Sequence, residues 1–253
     1  MVTKKSIGLQ ITNNVLRYVE LIRQNNQIKL GKFGEQKIST GILENGLIKR
    51  PQDFKKDLIL LKKKINPEGL TVSFLADQVF LSELLKESGF NKVYFESVNQ
   101  SLARLSDPEN NQVCTMIIYF GENITEIAVR EKKEIESFNV WDFGREVFES
   151  TKDQDMILSV LSEKIDEQFI AWHTEDDKRH KTRPLIKHVY LAGELPDLNR
   201  IAEQVSLRIR VPTEVLPVWG KMLNFDKYIP EMTQDEALVY SVPIGLAYRQ
   251  FEK

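Results

Sequence analysis

The sequence predicts an α/β protein of two similar halves, each a mixed sheet opened by a β-hairpin and flanked by helices. Two observations predict it. The first is a repeated strand–turn–strand unit. Met116-Ile117-Ile118-Tyr119-Phe120 is apolar and rich in strand formers, Gly121-Glu122-Asn123 is turn chemistry, and Ile124 to Val129 alternates between apolar and polar residues. Near the start of the chain, Ile7-Gly8-Leu9-Gln10-Ile11, Thr12-Asn13-Asn14 and Val15 to Leu21 follow the same plan. Aligning Gln10 with Tyr119 carries Asn14-Val15 onto Asn123-Ile124. The second observation is that strand-like and helix-like segments alternate after each hairpin. With 253 residues, there is room for one large domain or two modest ones.

The elements follow in order. After the first hairpin, Asn25-Asn26 marks a turn and Gln27 to Leu30 a strand, continued from Lys32 to Ser39. Asn45-Gly46 is a two-residue turn signal inside Gly41 to Ile48, because both residues tolerate positive φ. Pro51 starts a helix in which Phe54, Leu58, Leu61 and Ile65 recur at helical spacing, with a solvated lysine face opposite. Asn66-Pro67-Glu68-Gly69 stops it. Leu70 to Leu75 reads as a strand, Phe80 to Ser88 as a helix stopped by Gly89, Val93 to Phe95 as a short strand and Val98 to Leu105 as a helix.

The polar turn Ser106 to Gln112 divides the halves, giving 1–110 and 111–253. In the second half, Ile135 to Val140 reads as a further strand and Trp141 to Gly144 as a break. Ile157, Leu158, Leu161, Ile165 and Phe169 line a long amphipathic helix. His173 to Arg183 is polar and reads as an exposed loop. His188 to Ala192 is a strand and Gly193 to Pro196 a turn. Leu198, Ile201, Ala202 and Val205 form one helical face. Ile209 to Val215 is an edge strand, because of Pro212. Thr233-Gln234-Asp235-Glu236 is a capping box, opening a helix over 233–250 that Pro243 kinks and that is free to pack back on the first half.

Composition narrows the function. The chain is 42% hydrophobic and 28% charged, and 35 basic against 37 acidic residues leave a net charge of -2. That balance gives no general drive toward nucleic acid or an anionic membrane. A single cysteine, Cys114, forms no intrachain disulfide and reads as a small core hydrophobe. The first residues lack the apolar region of a signal peptide, and no run is long and apolar enough to span a membrane. Walker, GxSxG, HExxH and CxxC patterns are absent. His173, His180 and His188 are scattered and read as structural rather than metal-binding. Trp141, Trp172 and Trp219 form no basic stacking series.

The paired hairpins resemble the two phosphate loops of the actin-like ATPase superfamily, and Val189 to Leu198 resembles its adenosine loop. Within that superfamily the ordered pieces resemble PilM, the cytoplasmic actin-like component of type IV pilus assembly. They are Ile7 to Leu21; Gly41, Asn45, Gly46 and Ile48; Ser88-Gly89-Phe90 through Ser101-Leu102-Ala103-Arg104; and Ile244 to Arg249. The resemblance implies an actin-like (ribonuclease H-like) fold.

It also implies a nucleotide cleft, here degenerate, lined by Gln10, Thr12, Asn14, Gly121, Asn123, Gly193 and Glu194. A working member places an acid at the end of each opening strand to organise Mg²⁺ and water. Gln10 and Tyr119 stand at those positions, Thr12 replaces the first loop's glycine, and Glu194 replaces one of a usual glycine pair. The expectation is no catalytic residue, no metal and no required cofactor, with Mg²⁺-ATP binding as the alternative. PilM proteins also carry an inserted subdomain, and its shortened remnant is expected around 70–90.

The implied function is a non-catalytic scaffold that binds a short cytoplasmic peptide of a membrane-anchored, PilN-like pilus protein. Such a scaffold sits at the inner face of the cytoplasmic membrane through that partner, with no insertion of its own and no nucleic acid. A cell-division relative resembling FtsA is the remaining alternative. Such proteins end in a membrane-binding helix after a linker, whereas this chain ends at Phe251-Glu252-Lys253 directly after its final helix.

Overall fold

The computed structural model describes residues 3–25, 27–44, 46–74, 78–106, 113–174, 183–220 and 222–252. In chain order the elements are β1 (Lys4–Ile11), β2 (Val15–Gln24), β3 (Gln27–Lys37), β4 (Leu43–Glu44), β5 (Leu47–Ile48), α1 (Pro51–Ile65), β6 (Leu70–Ser73), α2 (Gln78–Glu87), β7 (Val93–Phe95) and α3 (Val98–Ser106). They continue with β8 (Thr115–Phe120), β9 (Thr125–Glu131), β10 (Glu134–Trp141), α4 (Arg145–Ser150), α5 (Gln154–Thr174), β11 (His188–Gly193), α6 (Leu198–Ile209), β12 (Thr213–Val215), α7 (Gln234–Val239) and α8 (Ser241–Tyr248). The chain packs as two units: Met1–Leu105 together with Val218–Lys253, and Ser106–Pro217.

In the first unit the strand order is β3-β2-β1-β6-β7. β1 and β2 form the opening antiparallel hairpin, and β6 and β7 add on in parallel. The helical face of α1 buries Phe54, Leu58, Leu61 and Ile65 against Leu9, Ile11, Leu70 and Val72 of the sheet and Leu81, Leu84 and Leu85 of α2. Its lysines lie outside that face, and Lys55 and Lys56 pair with Glu87 and Asp53, each at 2.8 Å. α8 packs on β1 at Gly8. A Cβ there would lie 2.0 Å from the Pro243 carbonyl oxygen and 2.7 Å from the Ala247 nitrogen, so only glycine admits the helix. Gly245 gives the same access to α3, where a Cβ would meet the Ser101 carbonyl at 2.3 Å.

The second unit repeats this order as β10-β9-β8-β11-β12. The repeat reaches individual hydrogen bonds. One offset carries Gln10 to Tyr119, Ile11 to Phe120, Leu16 to Thr125 and Arg17 to Glu126, and the cross-strand pairs Gln10–Arg17 and Ile11–Leu16 become Tyr119–Glu126 and Phe120–Thr125. The turns close alike: Thr12 N–H donates to Val15 O at 3.0 Å, and Gly121 N–H donates to Ile124 O at 2.8 Å. The crossovers match too. Leu70 N–H bonds Lys92 O as Val189 N–H bonds Pro212 O, and Glu96 N–H bonds Val72 O as Leu216 N–H bonds Leu191 O.

The interval around 70–90 follows the same plan. It holds β6, paired in parallel to β1, and α2, which together with β7 are the counterparts of β11, α6 and β12. A buried apolar strand is indispensable at that point, because β1 otherwise has no parallel neighbour. The closing helix over 233–250 is two helices, broken at Tyr240 (φ -96°, ψ 11°). Pro243 lacks the N–H that would bond Val239 O, and its ring crowds that carbonyl, so the kink expected at the proline takes the form of a break at Tyr240, one turn before it. The capping box at Thr233 forms: Thr233 Oγ1 accepts from Glu236 N–H at 3.2 Å, and Glu236 accepts from Thr233 N–H at 2.8 Å. β12 is an edge strand. Asn26, Asn45, the 107–112 turn and most of the polar stretch after Thr174 lie outside the described residues.

Candidate functional site

In the first unit, Gln10 is the last residue but one of β1 and is buried at 4% exposure. Directly across the ladder lies Arg17, also buried, whose Nε donates to Glu35 at 3.3 Å. Cross-strand partners put their side chains side by side on one face. The end of β1 therefore presents an amide next to a guanidinium. Thr12 spends its hydroxyl on the turn itself, accepting from Val15 N–H at 3.2 Å and lying 3.3 Å from Val15 O. Asn14 uses its backbone carbonyl to bind Ile38 N–H at 2.7 Å. Its neighbour Asn13 reaches Gly46 N–H through Oδ1 at 3.4 Å.

In the second unit the structure brings Gly121, Gly193 and Glu194 together at one end of the sheet. Gly193 pairs with Phe120, and Glu194 N–H donates to Phe120 O at 2.7 Å. Gly193 has φ +117°, and a Cβ on it would lie 2.1 Å from Phe120 O. Backbone packing alone thus demands glycine at this position. Tyr119 is buried, and its ring edge lies 3.4 Å from where a Gly121 Cβ would be. An aromatic ring thus fills the space beside the turn. Asn123 is backed by Gly144, where a Cβ would clash with the Glu122 carbonyl oxygen at 2.5 Å and the Asn123 nitrogen at 2.6 Å.

Sequence reasoning missed Arg145, at the start of α4. Its N–H donates to Gly121 O at 2.9 Å, and Glu146 N–H donates to Glu122 O at 3.0 Å, so the turn's carbonyls cap this short helix. The Arg145 guanidinium sits between two acids, 3.4 Å from Glu122 and 3.8 Å from Glu194, whose side chain is only 3% exposed. Glu194 is thereby held by an internal cation. The signal was a Phe-Gly-Arg following a strand, and nothing in it names the two distant glutamates. His173 and His188 have structural partners. His173 Nδ1 lies 2.7 Å from Phe169 O and Nε2 accepts from Ile186 N–H at 3.3 Å, while His188 meets Glu214 at 2.9 Å. His180 is outside the described residues.

No family model matches the chain, and no curated protein matches it by sequence. Solved structures do match. A PilM–PilN type IV pilus biogenesis complex contains a chain of similar fold, with a TM-score of 0.73 over 98% of this chain and 99% of that one, at 13% identity. The fold is actin-like. The ethanolamine utilization protein EutJ of Carboxydothermus hydrogenoformans is similar at a TM-score of 0.64 and 13% identity, over 98% of this chain and 90% of that one. MreB5 of Spiroplasma citri, bound to AMPPNP, is similar at 0.60 and 11% identity, over 100% and 97%. At these identities the likeness establishes the fold.

An actin-like fold raises the question of Mg²⁺-nucleotide, and the residues present fit it poorly. Neither opening strand ends in a carboxylate for Mg²⁺, and the guanidinium beside Gln10 opposes a divalent cation. Tyr119 is buried against the second turn, and the N–H groups of Thr12 and Gly121 close their own hairpins. Among the described residues no helix is long and apolar enough to cross a membrane.

Proposed function

We propose that this chain is a non-catalytic actin-like scaffold of type IV pilus assembly. It binds a short cytoplasmic peptide of an inner-membrane, PilN-like pilus protein and is held at the membrane by that partner. The observation that carries the reading is the end-to-end fold likeness to a chain of a PilM–PilN complex, joined to Gln10 and Tyr119 at the two metal-organising positions. Replacing both acids removes the charge that would hold Mg²⁺ and orient an attacking water. What such a protein retains is the folded frame of each unit. A peptide that orders on binding spends part of its interaction energy on its own entropy, so a modest affinity per peptide is expected.

The test is co-purification in both directions with the cytoplasmic tail of the neighbouring pilus membrane protein, followed by titration of the synthetic tail peptide. Saturable binding supports the scaffold. No enrichment in either direction overturns it, and Mg²⁺-dependent phosphate release by the purified chain replaces it with a nucleotide switch.

A further inference from the structure

We propose that the second unit carries a separate docking site for a short acidic peptide segment, at the end of its sheet away from Gly193 and Glu194. A cavity of about 540 Å³ lies where the chain enters β11 and β12, beside the last turn of α5. Its walls are apolar, from Ile170, Leu185, Val211 and Pro212 among others. Ile170 is 51% exposed and Leu185 60% exposed, so the cavity is open along a side that a chain can cross. Its one ring with polar atoms, His173, is already satisfied by the Phe169 carbonyl and the Ile186 N–H.

Two cations stand at the rim, and among the described residues no carboxylate lines the cavity. Among the described residues Lys187 and Arg210 have no side-chain hydrogen-bond or ion-pair partner. Arg210 follows α6 in the left-handed conformation, φ 57°, at a position that glycine favours, and this turn sets the arginine at the cavity. Apolar walls and two uncommitted cations are complementary to a segment that combines large apolar side chains with carboxylates. The volume suits one or two such side chains. Charge attraction at an exposed rim weakens as salt rises. This site lies within the second unit and does not depend on the scaffold reading or on the partner proposed there.

The experiment is fluorescence anisotropy on the full chain with three fluorescein-labelled peptides. One alternates Leu and Phe with Glu and Asp, one has Lys in place of every acid, and one has Ser in place of every apolar residue. The acidic apolar peptide is expected to bind at least tenfold more tightly than either control and to weaken with added salt. Lys187→Glu combined with Arg210→Asn, and separately Leu185→Ser, should each weaken it about tenfold while the melting curve stays in place. Equal binding of all three peptides, no saturable binding, or affinity indifferent to these substitutions overturns the proposal. Saturation by octanoate without peptide binding, or self-association that Leu185→Ser abolishes, assigns the groove to another occupant and overturns it too.

Discussion

Gly8→Ala isolates the packing that holds the closing helix onto the first sheet. The added methyl would lie 2.0 Å from the Pro243 carbonyl oxygen, 2.7 Å from the Ala247 nitrogen and 2.8 Å from the Leu246 Cβ. All three belong to the body of α8 rather than to a side-chain tip. Relief therefore requires the whole helix to lift from β1 by more than an ångström. Overpacking of this kind costs about 1–3 kcal/mol. The expected loss is at or beyond the upper end, because Val242, Ile244, Leu246 and Ala247 are all buried and lose contact together. With a urea slope of about 2 kcal/mol/M, 3 kcal/mol lowers the midpoint by about 1.5 M. The assay follows Trp219, buried in the same unit, in a background where Trp141 and Trp172 are phenylalanine. Gly69→Ala is the matched control, since its methyl meets only the terminal amide of Gln250, at 3.0 Å. A Gly8→Ala midpoint no lower than that of Gly69→Ala would refute the reasoning.

Two other consequences are open to direct measurement. Arg104 donates twice to Glu96, at 2.8 and 2.6 Å, once to the Gly245 carbonyl at 3.0 Å, and pairs with Glu252 at 2.7 Å. Both Arg104 and Glu96 are nearly buried, so Arg104→Met leaves Glu96 only the Arg249 guanidinium, at 4.0 Å, and should cost about 3 kcal/mol in urea unfolding. Arg104 and Glu96 replaced together by Met and Leu should recover much of that. Burial pushes the Cys114 thiol up to about 12. It should resist a thiol reagent at pH 8 until the protein unfolds. Because the unfolded thiol ionises first, its contribution to stability is complete below about pH 9 and is lost as pH rises toward 12, so stability in alkali should fall less steeply in Cys114→Ala.

The hairpins were legible because strand alternation and turn chemistry are local, and the repeat supplied the register: aligning Gln10 with Tyr119 is the offset that the hydrogen bonds keep. The buried faces of α1 and α6 and the Thr233 capping box were legible for the same reason. Long-range pairings were not. Arg145 with Glu122 and Glu194, and Arg104 with Glu96 and Gly245, join residues whose neighbourhood only the fold creates. The strand and helix between 70 and 90 were legible from their apolar residues, while their place in the sheet, with β6 parallel to β1, depended on long-range pairing. Pro243 marks the kink in the closing helix, and the break falls one turn earlier, at Tyr240, because the ring and missing N–H act on the carbonyl four residues back. Gly193 resembled a ligand-facing glycine, and its positive φ and contact with Phe120 give it a backbone reason instead.

The central claim is that the replaced strand-end acids leave a frame without a working nucleotide site. A thermal-shift titration with Mg²⁺-ATP and Mg²⁺-ADP, against Mg²⁺ alone, tests it most directly. A ligand bound only by the folded state, at about 100 times its dissociation constant, adds about 2.7 kcal/mol, which moves the melting temperature visibly. No saturable shift is expected up to millimolar nucleotide. A clear, saturable shift that requires nucleotide would contradict it.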